Sequence, residues 1–299
     1  MLIANTASSS ISRLNKIMTK RLTISFLFFL GIISFFSGLV HAETIYGKNY
    51  QLEVKSKFDG FTKELKQFLD QADGTYQDFF SRIGLERIKN TEVKVIALPT
   101  KEDFMAQVSV RGFPQGFIPG AFYSRGQQSA YVYNTQDPRI YLSSLLHELS
   151  HHFILDFMPT GHEPPVCLNE GLAEVAASSP IRGTSIAFSP QMQLHSGREV
   201  SLRAEKGTLI PVGTLLGMNV NTFQVLSGQT DSYPYCQCWA FSQFLVNSNG
   251  GKYRSVLVSL LTTKKPKSSY REIVEKALPS DTTLAEFEKA WETFAKNPR

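Results

Sequence analysis

Alternation of apolar and polar residues marks short segments in the first half of the chain, and this two-residue period is typical of half-buried strands. The segments with this pattern are Tyr50–Lys55, Glu92–Leu98, Ala121–Ser124 and Ala130–Asn134. The last two are close enough in sequence to form a strand pair. Gly112–Gly120, directly before them, is rich in Gly and Pro and predicts a loop.

Apolar residues recur at helical spacing elsewhere in the chain and predict helices. The predicted helices are Phe58–Ile83, a helix that begins after Thr100, Ile140–Phe153, Cys167–Ser178, Tyr235–Val246, Tyr253–Leu261, Tyr270–Leu278 and Leu284–Ala295. A break of the first helix near Gly74 is left open. Thr100 suits a helix N-cap, with Asp103 at the capping-box position. A long polar, glycine-containing stretch follows Pro180 and carries no predicted element.

The order of these elements indicates the fold class. Strands and helices are mixed in the first part, and the last third is predicted to be helical throughout. This order predicts an α/β (α+β) fold, with a small mixed sheet in residues 43–158 and a mainly helical lobe in residues 159–299. No internal repeat is evident.

The N-terminal segment has the pattern of an export signal. Its basic residues are Arg13, Lys16, Lys20 and Arg21. The uncharged apolar run Leu22–Val40 follows, and Val40-His41-Ala42 has the form of a small-residue cleavage site. We therefore predict a secretory signal peptide in residues 1–42, of which residues 1–17 can be an upstream extension. The alternative is an uncleaved anchor formed by residues 22–40, because nineteen apolar residues can span a bilayer.

Net charge says little about partners once this segment is set apart. The chain has 31 Lys and Arg against 26 Asp and Glu, a formal charge of +5. Without the four basic residues of the signal segment, 27 basic residues oppose 26 acidic ones. No basic stripe with interleaved aromatics remains, which argues against a nucleic-acid partner. We expect an exported protein, periplasmic or secreted, that meets a membrane only through its N-terminal segment if that segment is uncleaved.

The three cysteines are compatible with a disulfide in an exported protein. Cys236 and Cys238 are only two positions apart, which strains a bridge between them. A bridge from Cys167 to one of the pair is favoured, and three reduced thiols are the alternative.

The most informative motif is His147-Glu148-Leu149-Ser150-His151, an HExxH pattern in a predicted helix. Four residues correspond to about 400° of helical rotation, so the two histidines share one helix face. Two imidazoles in this arrangement can bind one Zn²⁺. Glu148, beside the first histidine, can accept the proton of an attacking water. His152, about 100° from the ligand face, is predicted to lie at the surface or behind the ligands rather than to bind the metal. His162 and His195 are predicted to lie in loops and to be exposed to solvent, where either could bind substrate.

A third metal ligand is expected on the next predicted helix. A catalytic zinc site needs a third protein ligand and an open position. Eighteen residues separate His151 from Glu170, which lies near the start of a helix that follows a proline-rich turn. Glu174 is one turn further on the same face and can accept the outer N–H of a ligand histidine, which would fix the tautomer of that ring. A solvated helix carboxylate is the alternative for Glu174.

The segments HELSH and NEGLAE, with eighteen residues between His151 and Glu170, resemble those of the gluzincin metallopeptidases. This is the peptidase MA-like group that includes thermolysin-like enzymes and aminopeptidases. The resemblance implies a zincin-like domain with the HExxH helix packed beneath a small twisted sheet. It also implies Zn²⁺ bound by His147, His151 and Glu170, with Glu148 as the general base. Motifs support the resemblance from residue 120 to residue 245.

The resemblance also points to an oxyanion donor. Family members carry a tyrosine about sixty to seventy residues past the ligand glutamate, where a phenol can stabilise the developing negative charge. Tyr233 and Tyr235 lie 63 and 65 residues past Glu170, and we favour Tyr235. In the alternative, both tyrosines only cap a core helix.

The family's substrate-binding edge strand falls at Gly120, Ala121 and Phe122, where backbone groups pair with the substrate chain. Aminopeptidases of the family carry a glutamate in this strand that binds the substrate's amino terminus. None occurs from Gly120 to Gln127, which argues against a standard aminopeptidase.

Together these features predict a zinc-dependent metallopeptidase that hydrolyses peptides or proteins outside the cytoplasm. One alternative is an exported binding module that keeps the fold without catalysis. Another is a zinc hydrolase of a non-peptide amide, for which the sequence offers no discriminator. The residues do not distinguish endopeptidase from exopeptidase activity.

Overall fold

A mixed sheet followed by helices makes up the computed structural model. It describes residues 43–55, 59–110, 120–135, 137–182, 185–186, 194–230, 232–263 and 269–298. The predicted signal peptide, its alternative anchor and upstream extension, and nearly all of the predicted loop Gly112–Gly120 lie outside these residues. Within the described part of the chain, no helix is both long enough and apolar enough to cross a membrane.

Five strands form the main sheet in the order β1-β2-β3-β5-β4. Their bounds are β1 Glu43–Tyr46, β2 Tyr50–Val54, β3 Val93–Leu98, β4 Ala121–Ser124 and β5 Ser129–Tyr133. The pairs β2–β3 and β3–β5 are parallel, whereas β1–β2 and β5–β4 are antiparallel. Strand β4 therefore lies at one edge of the sheet. A second, two-stranded sheet consists of β6 Ile181–Arg182 and β7 Ser185–Ile186.

Helices surround the sheet and then continue alone towards the C-terminus. Those interleaved with or directly following the strands are α1 Asp59–Arg82, α2 Lys101–Val110, α3 Pro138–Phe153 and α4 Val166–Ala177. Those of the C-terminal part are α5 Leu194–Glu205, α6 Val212–Gly217, α7 Val220–Gln229, α8 Tyr233–Asn247, α9 Arg254–Thr262, α10 Tyr270–Ala277 and α11 Leu284–Ala295. The predicted fold class, a mixed sheet followed by a helical part, is confirmed.

The structure resolves one open question about the predicted elements and corrects one prediction. Helix α1 runs without a break through Gly74, because one glycine costs a helix only about 1 kcal/mol and α1 buries a full apolar face. The stretch after Pro180, which carries no predicted element, also contains helices α5, α6 and α7. They escaped detection because each contains glycine, α5 is rich in polar residues and α6 is only six residues long. Each of these three helices still buries apolar side chains. They are Val200 and Ala204 in α5, Leu215 and Leu216 in α6, and Phe223 in α7.

The sheet separates two apolar clusters, as alternation along the strands requires. The smaller cluster joins α2 to one sheet face through Ile96, Leu98, Phe104, Val108, Phe122 and Tyr131. The larger cluster joins the other face to α1 and α3 and continues through α4 into the C-terminal helices. Helix α4 packs against both α3 and α8, so it links the sheet-bearing part to the helical part.

Candidate metal centre and catalytic cleft

Helix α3 carries both histidines of the HExxH motif. Asp137 caps its N-terminus by accepting a hydrogen bond from the Arg139 N–H, and Pro138 occupies the first turn, where no intrahelical N–H partner is needed. The His147 and His151 rings lie on one face, with centroids 4.9 Å apart. Both side chains are half-buried, so a ligand can reach them from the cleft.

Glu170 on α4 meets these two rings. Its Oε2 atom lies 3.4 Å from His147 Nε2 and 3.8 Å from His151 Nε2. The three ligand atoms all lie within 4.8 Å of one another. Ligand atoms around a tetrahedral zinc ion are about 3.3 Å apart, given bonds of about 2.0 Å. The donor set of two imidazoles and one carboxylate could therefore hold a metal ion, and its chemistry is one that zinc accepts.

Glu174 contacts the outer nitrogen of His147. Its Oε1 atom lies 3.2 Å from His147 Nδ1, so Nδ1–H donates to Glu174 while Nε2 faces Glu170. The predicted supporting role of Glu174 thus has a geometric basis. The corresponding Nδ1 of His151 is buried and has no hydrogen-bond partner among the described residues.

Charges around the ligands favour protonation of His147. Burial lowers the pKa of His147, but hydrogen bonds to Glu170 and Glu174 outweigh burial and raise this pKa well above its usual range. Burial opposes ionisation of Glu170, whereas the charge of His151 and the hydrogen bond from His147 lower the pKa of this carboxyl group. A cation that binds here must displace the proton that His147 and Glu170 share.

Glu148 lies in the same cleft, directed at the space beside the ligands. Burial raises the pKa of Glu148 above its usual range, against the opposing charges of His147 and His151. Its carboxylate accepts a hydrogen bond from the backbone N–H of Tyr123 in β4. A carboxylate with a raised pKa is a better proton acceptor near neutral pH than an ordinary surface glutamate.

Close packing of α4 on α8 sets the position of Glu170. A Cβ atom on Gly171 would lie 2.3 Å from the carbonyl oxygen of Cys238 and 2.3 Å from Ser242 Oγ. Only glycine lets the two backbones approach this closely. The glycine that follows the ligand therefore fixes the distance between the metal-site helix and α8.

Of the two candidate tyrosines, Tyr235 faces the cleft. Burial raises its pKa well above the usual range, and the nearby carboxylates of Glu170, Glu174 and Glu148 raise it further. Tyr233 is buried instead, with its hydroxyl bonded to Gln237 and its ring beneath the Arg203 guanidinium. The Tyr235 phenol is therefore the one near the ligands, and it remains protonated at neutral pH.

The cleft has a volume of about 850 Å³ and brings most sequence-predicted site residues together. The predicted residues that line it are Gly120, Ala121, Phe122, His147, Glu148, His151, Glu170, Glu174 and Tyr235. Helices α5 and α7 also line the cleft, through His195, Val220 and Gln224. Sequence reasoning missed Val220 and Gln224 because no periodic signal marked α7. It placed His195 in a loop, whereas this residue lies in α5.

Two of the remaining histidines, His152 and His162, and the three cysteines are buried. His152, predicted at the surface or behind the ligands, is 2% exposed and hydrogen-bonded on both ring nitrogens. His162 is also buried, so its predicted exposure is wrong. The favoured disulfide from Cys167 is absent, and all three cysteines are free thiols, as the alternative predicts. Cys238 hydrogen-bonds to Cys167, whereas Cys236 contacts Ser196.

Comparison of the chain with protein-family models and with curated proteins finds no match.

Proposed function

We propose that this chain is a zinc-dependent metallopeptidase that acts on peptides or proteins outside the cytoplasm. The observation that carries the proposal is the convergence of His147 Nε2, His151 Nε2 and Glu170 Oε2 in a cleft that also contains Glu148. Ligands without a base would suit a structural metal site. A general base beside an accessible set of two histidines and one glutamate is instead typical of a hydrolytic metal site.

Each of these residues of the cleft has a separate role in the proposed reaction. When bound by the three ligands, zinc supplies Lewis-acid polarisation of the scissile carbonyl and lowers the pKa of a water molecule. Glu148 accepts a proton from the attacking water and transfers it to the leaving amine nitrogen, so water and amide become acid and amine. Tyr235 donates a hydrogen bond to the carbonyl oxygen as negative charge develops on it.

Strand β4 is suited to hold an extended substrate. It lies at the sheet edge beside the ligands, and Gly120, Ala121 and Phe122 line the cleft. An extended peptide can add to such an edge through backbone hydrogen bonds, which would align the scissile bond with little dependence on side chains. Action outside the cytoplasm is proposed from the signal-like sequence of residues 1–42 alone.

Peptide-library profiling of the zinc-loaded mature protein tests this proposal. We expect cleavage that a chelator stops and that Glu148→Gln abolishes while zinc stays bound. Glu288→Gln, the same change at an exposed position of α11, is the matched control and should cleave normally. Stoichiometric zinc without cleavage of any peptide would refute the proposal and favour a binding module or a hydrolase of another amide.

A further inference from the structure

Tyr123 joins edge strand β4 to helix α3 at two points. Its hydroxyl lies 2.9 Å from His152 Nδ1, and its backbone N–H donates to the carboxylate of Glu148. The Tyr123 and His152 rings also meet edge to face, with centroids 5.8 Å apart. One residue thus connects the strand with two consecutive turns of the helix that bears the metal ligands.

A second contact, with the backbone of Thr91, fixes the orientation of the His152 ring. Its Nε2 atom lies 3.1 Å from the carbonyl oxygen of Thr91, which can only accept, so Nε2 carries the proton. In the neutral ring Nδ1 is then the acceptor for the Tyr123 hydroxyl. Thr91 in turn donates its backbone N–H to Asp156, a fully buried carboxylate that also pairs with Arg87 at 2.7 Å.

Strand β4 is an edge strand, so contacts outside the sheet help to hold its position. Among the described strands it pairs only with β5. Its other edge faces the cleft, where the distance between β4 and α3 determines both the width of the cleft and the position of the Tyr123 N–H. A shift of β4 away from α3 would remove the donor that orients the Glu148 carboxylate.

We propose that Tyr123 and His152 are positioning residues, which hold β4 against α3 so that the Tyr123 N–H fixes the orientation of the Glu148 carboxylate. Their catalytic consequence rests on the proposed peptidase function, because Glu148 matters there as the base. Neither side chain needs to touch the substrate or the metal. The pair would set the rate of proton transfer and leave zinc affinity nearly unchanged.

Two conservative variants interrupt the pair. Tyr123→Phe keeps the ring and the backbone N–H but removes the hydroxyl. His152→Gln keeps a donor near the Thr91 carbonyl but removes the Nδ1 acceptor. Tyr131→Phe is the matched control, because its hydroxyl bonds to Gln127 in the turn between β4 and β5 and takes no part in the cleft.

Hydrogen exchange of the Tyr123 amide in the zinc-loaded full chain gives a readout that needs no substrate. A buried hydrogen bond changes a local equilibrium by about twofold to tenfold, and we expect exchange at this amide to accelerate by that factor in Tyr123→Phe and His152→Gln. Exchange in β3 should stay at the wild-type rate. Unchanged exchange at Tyr123, or equal acceleration across the whole sheet and in Tyr131→Phe, would overturn the proposal.

Kinetics on a cleaved peptide give the second readout. Both variants should lower kcat by about twofold to tenfold with KM and zinc content unchanged, and the double variant should fall no further than the more impaired single variant. Additive losses, or a rise in KM with kcat unchanged, would contradict a shared positioning role. If the zinc-loaded wild type cleaves no peptide, the proposed function fails, and hydrogen exchange alone still decides whether the pair holds β4.

Discussion

Alanine substitutions at two helical glycines should have opposite effects on stability. Gly171 lies in α4, where an added Cβ would meet the Cys238 carbonyl oxygen and Ser242 Oγ, each at 2.3 Å. Gly74 lies in α1, where an added Cβ would meet no atom within 4 Å. Both residues have ordinary helical backbones, so the difference between them is steric.

The size of the effect follows from these distances. Ordinary contacts begin at 3.4 Å, so the Gly171 Cβ would lie 1.1 Å too close to a backbone carbonyl that cannot rotate away. Overpacking of this kind costs about 1–3 kcal/mol, which lowers Tm by about 2–12 °C. At Gly74, alanine should raise the free energy of unfolding by about 0.5–1 kcal/mol, because it stiffens the unfolded chain without a clash.

The Gly171 variant should also bind zinc more weakly. Metal–ligand distances are held within about 0.2 Å, whereas relief of the clash would move α4 by roughly 1 Å relative to α8 and carry Glu170 with it. We expect zinc affinity to fall by at least about tenfold, measured by competition with a chromogenic chelator. Thermal and urea unfolding of both variants test the stability effect. A Gly171→Ala protein with wild-type stability and zinc affinity would refute this account of the α4–α8 contact.

Three further outcomes follow from the described contacts. Asp156→Ala should lower the free energy of unfolding by about 3 kcal/mol in urea titrations, because it leaves Arg87 with Asp73 as its remaining carboxylate partner and the Thr91 N–H without its buried acceptor. A loss below about 1 kcal/mol would contradict this. Tyr235→Phe should reduce kcat by about 10²–10³ with little change in KM or Tm, and an unchanged kcat would remove Tyr235 from the mechanism. Chelation from a solution with free zinc 100-fold above Kd should reduce the free energy of unfolding by about 2.7 kcal/mol, whereas the same treatment of His151→Ala should change nothing.

The parts of the site that local sequence could predict are those with a short repeat or a fixed spacing. The i, i+4 spacing of His147 and His151 needs only helical geometry to bring both rings to one face. Glu170 follows from a turn and a second helix, and the structure places its carboxylate against both rings. The fold class follows from the change between two-residue and helical periods.

The parts that escaped prediction depend on residues distant in sequence. Helical spacing alone does not determine whether the face of α3 that carries His152 is buried. His152 is buried because Tyr123 and Thr91, from other parts of the chain, contact it. The cleft wall from α7 could not be foreseen, since Val220 lies in a polar stretch whose position is set by packing on α8. The short distance between α4 and α8 at Gly171 likewise depends on how the two helices pack, so the sequence of either helix alone does not predict it.

The central claim is that zinc held by His147, His151 and Glu170 supports hydrolysis with Glu148 as the base. Its most direct test is the cleavage rate of Glu148→Gln, measured on a sample whose zinc content is determined at the same time. We predict one zinc per chain and a rate at least about 10²-fold below the wild type, the contribution expected of a general base. Wild-type cleavage by the zinc-loaded Glu148→Gln protein would contradict the account.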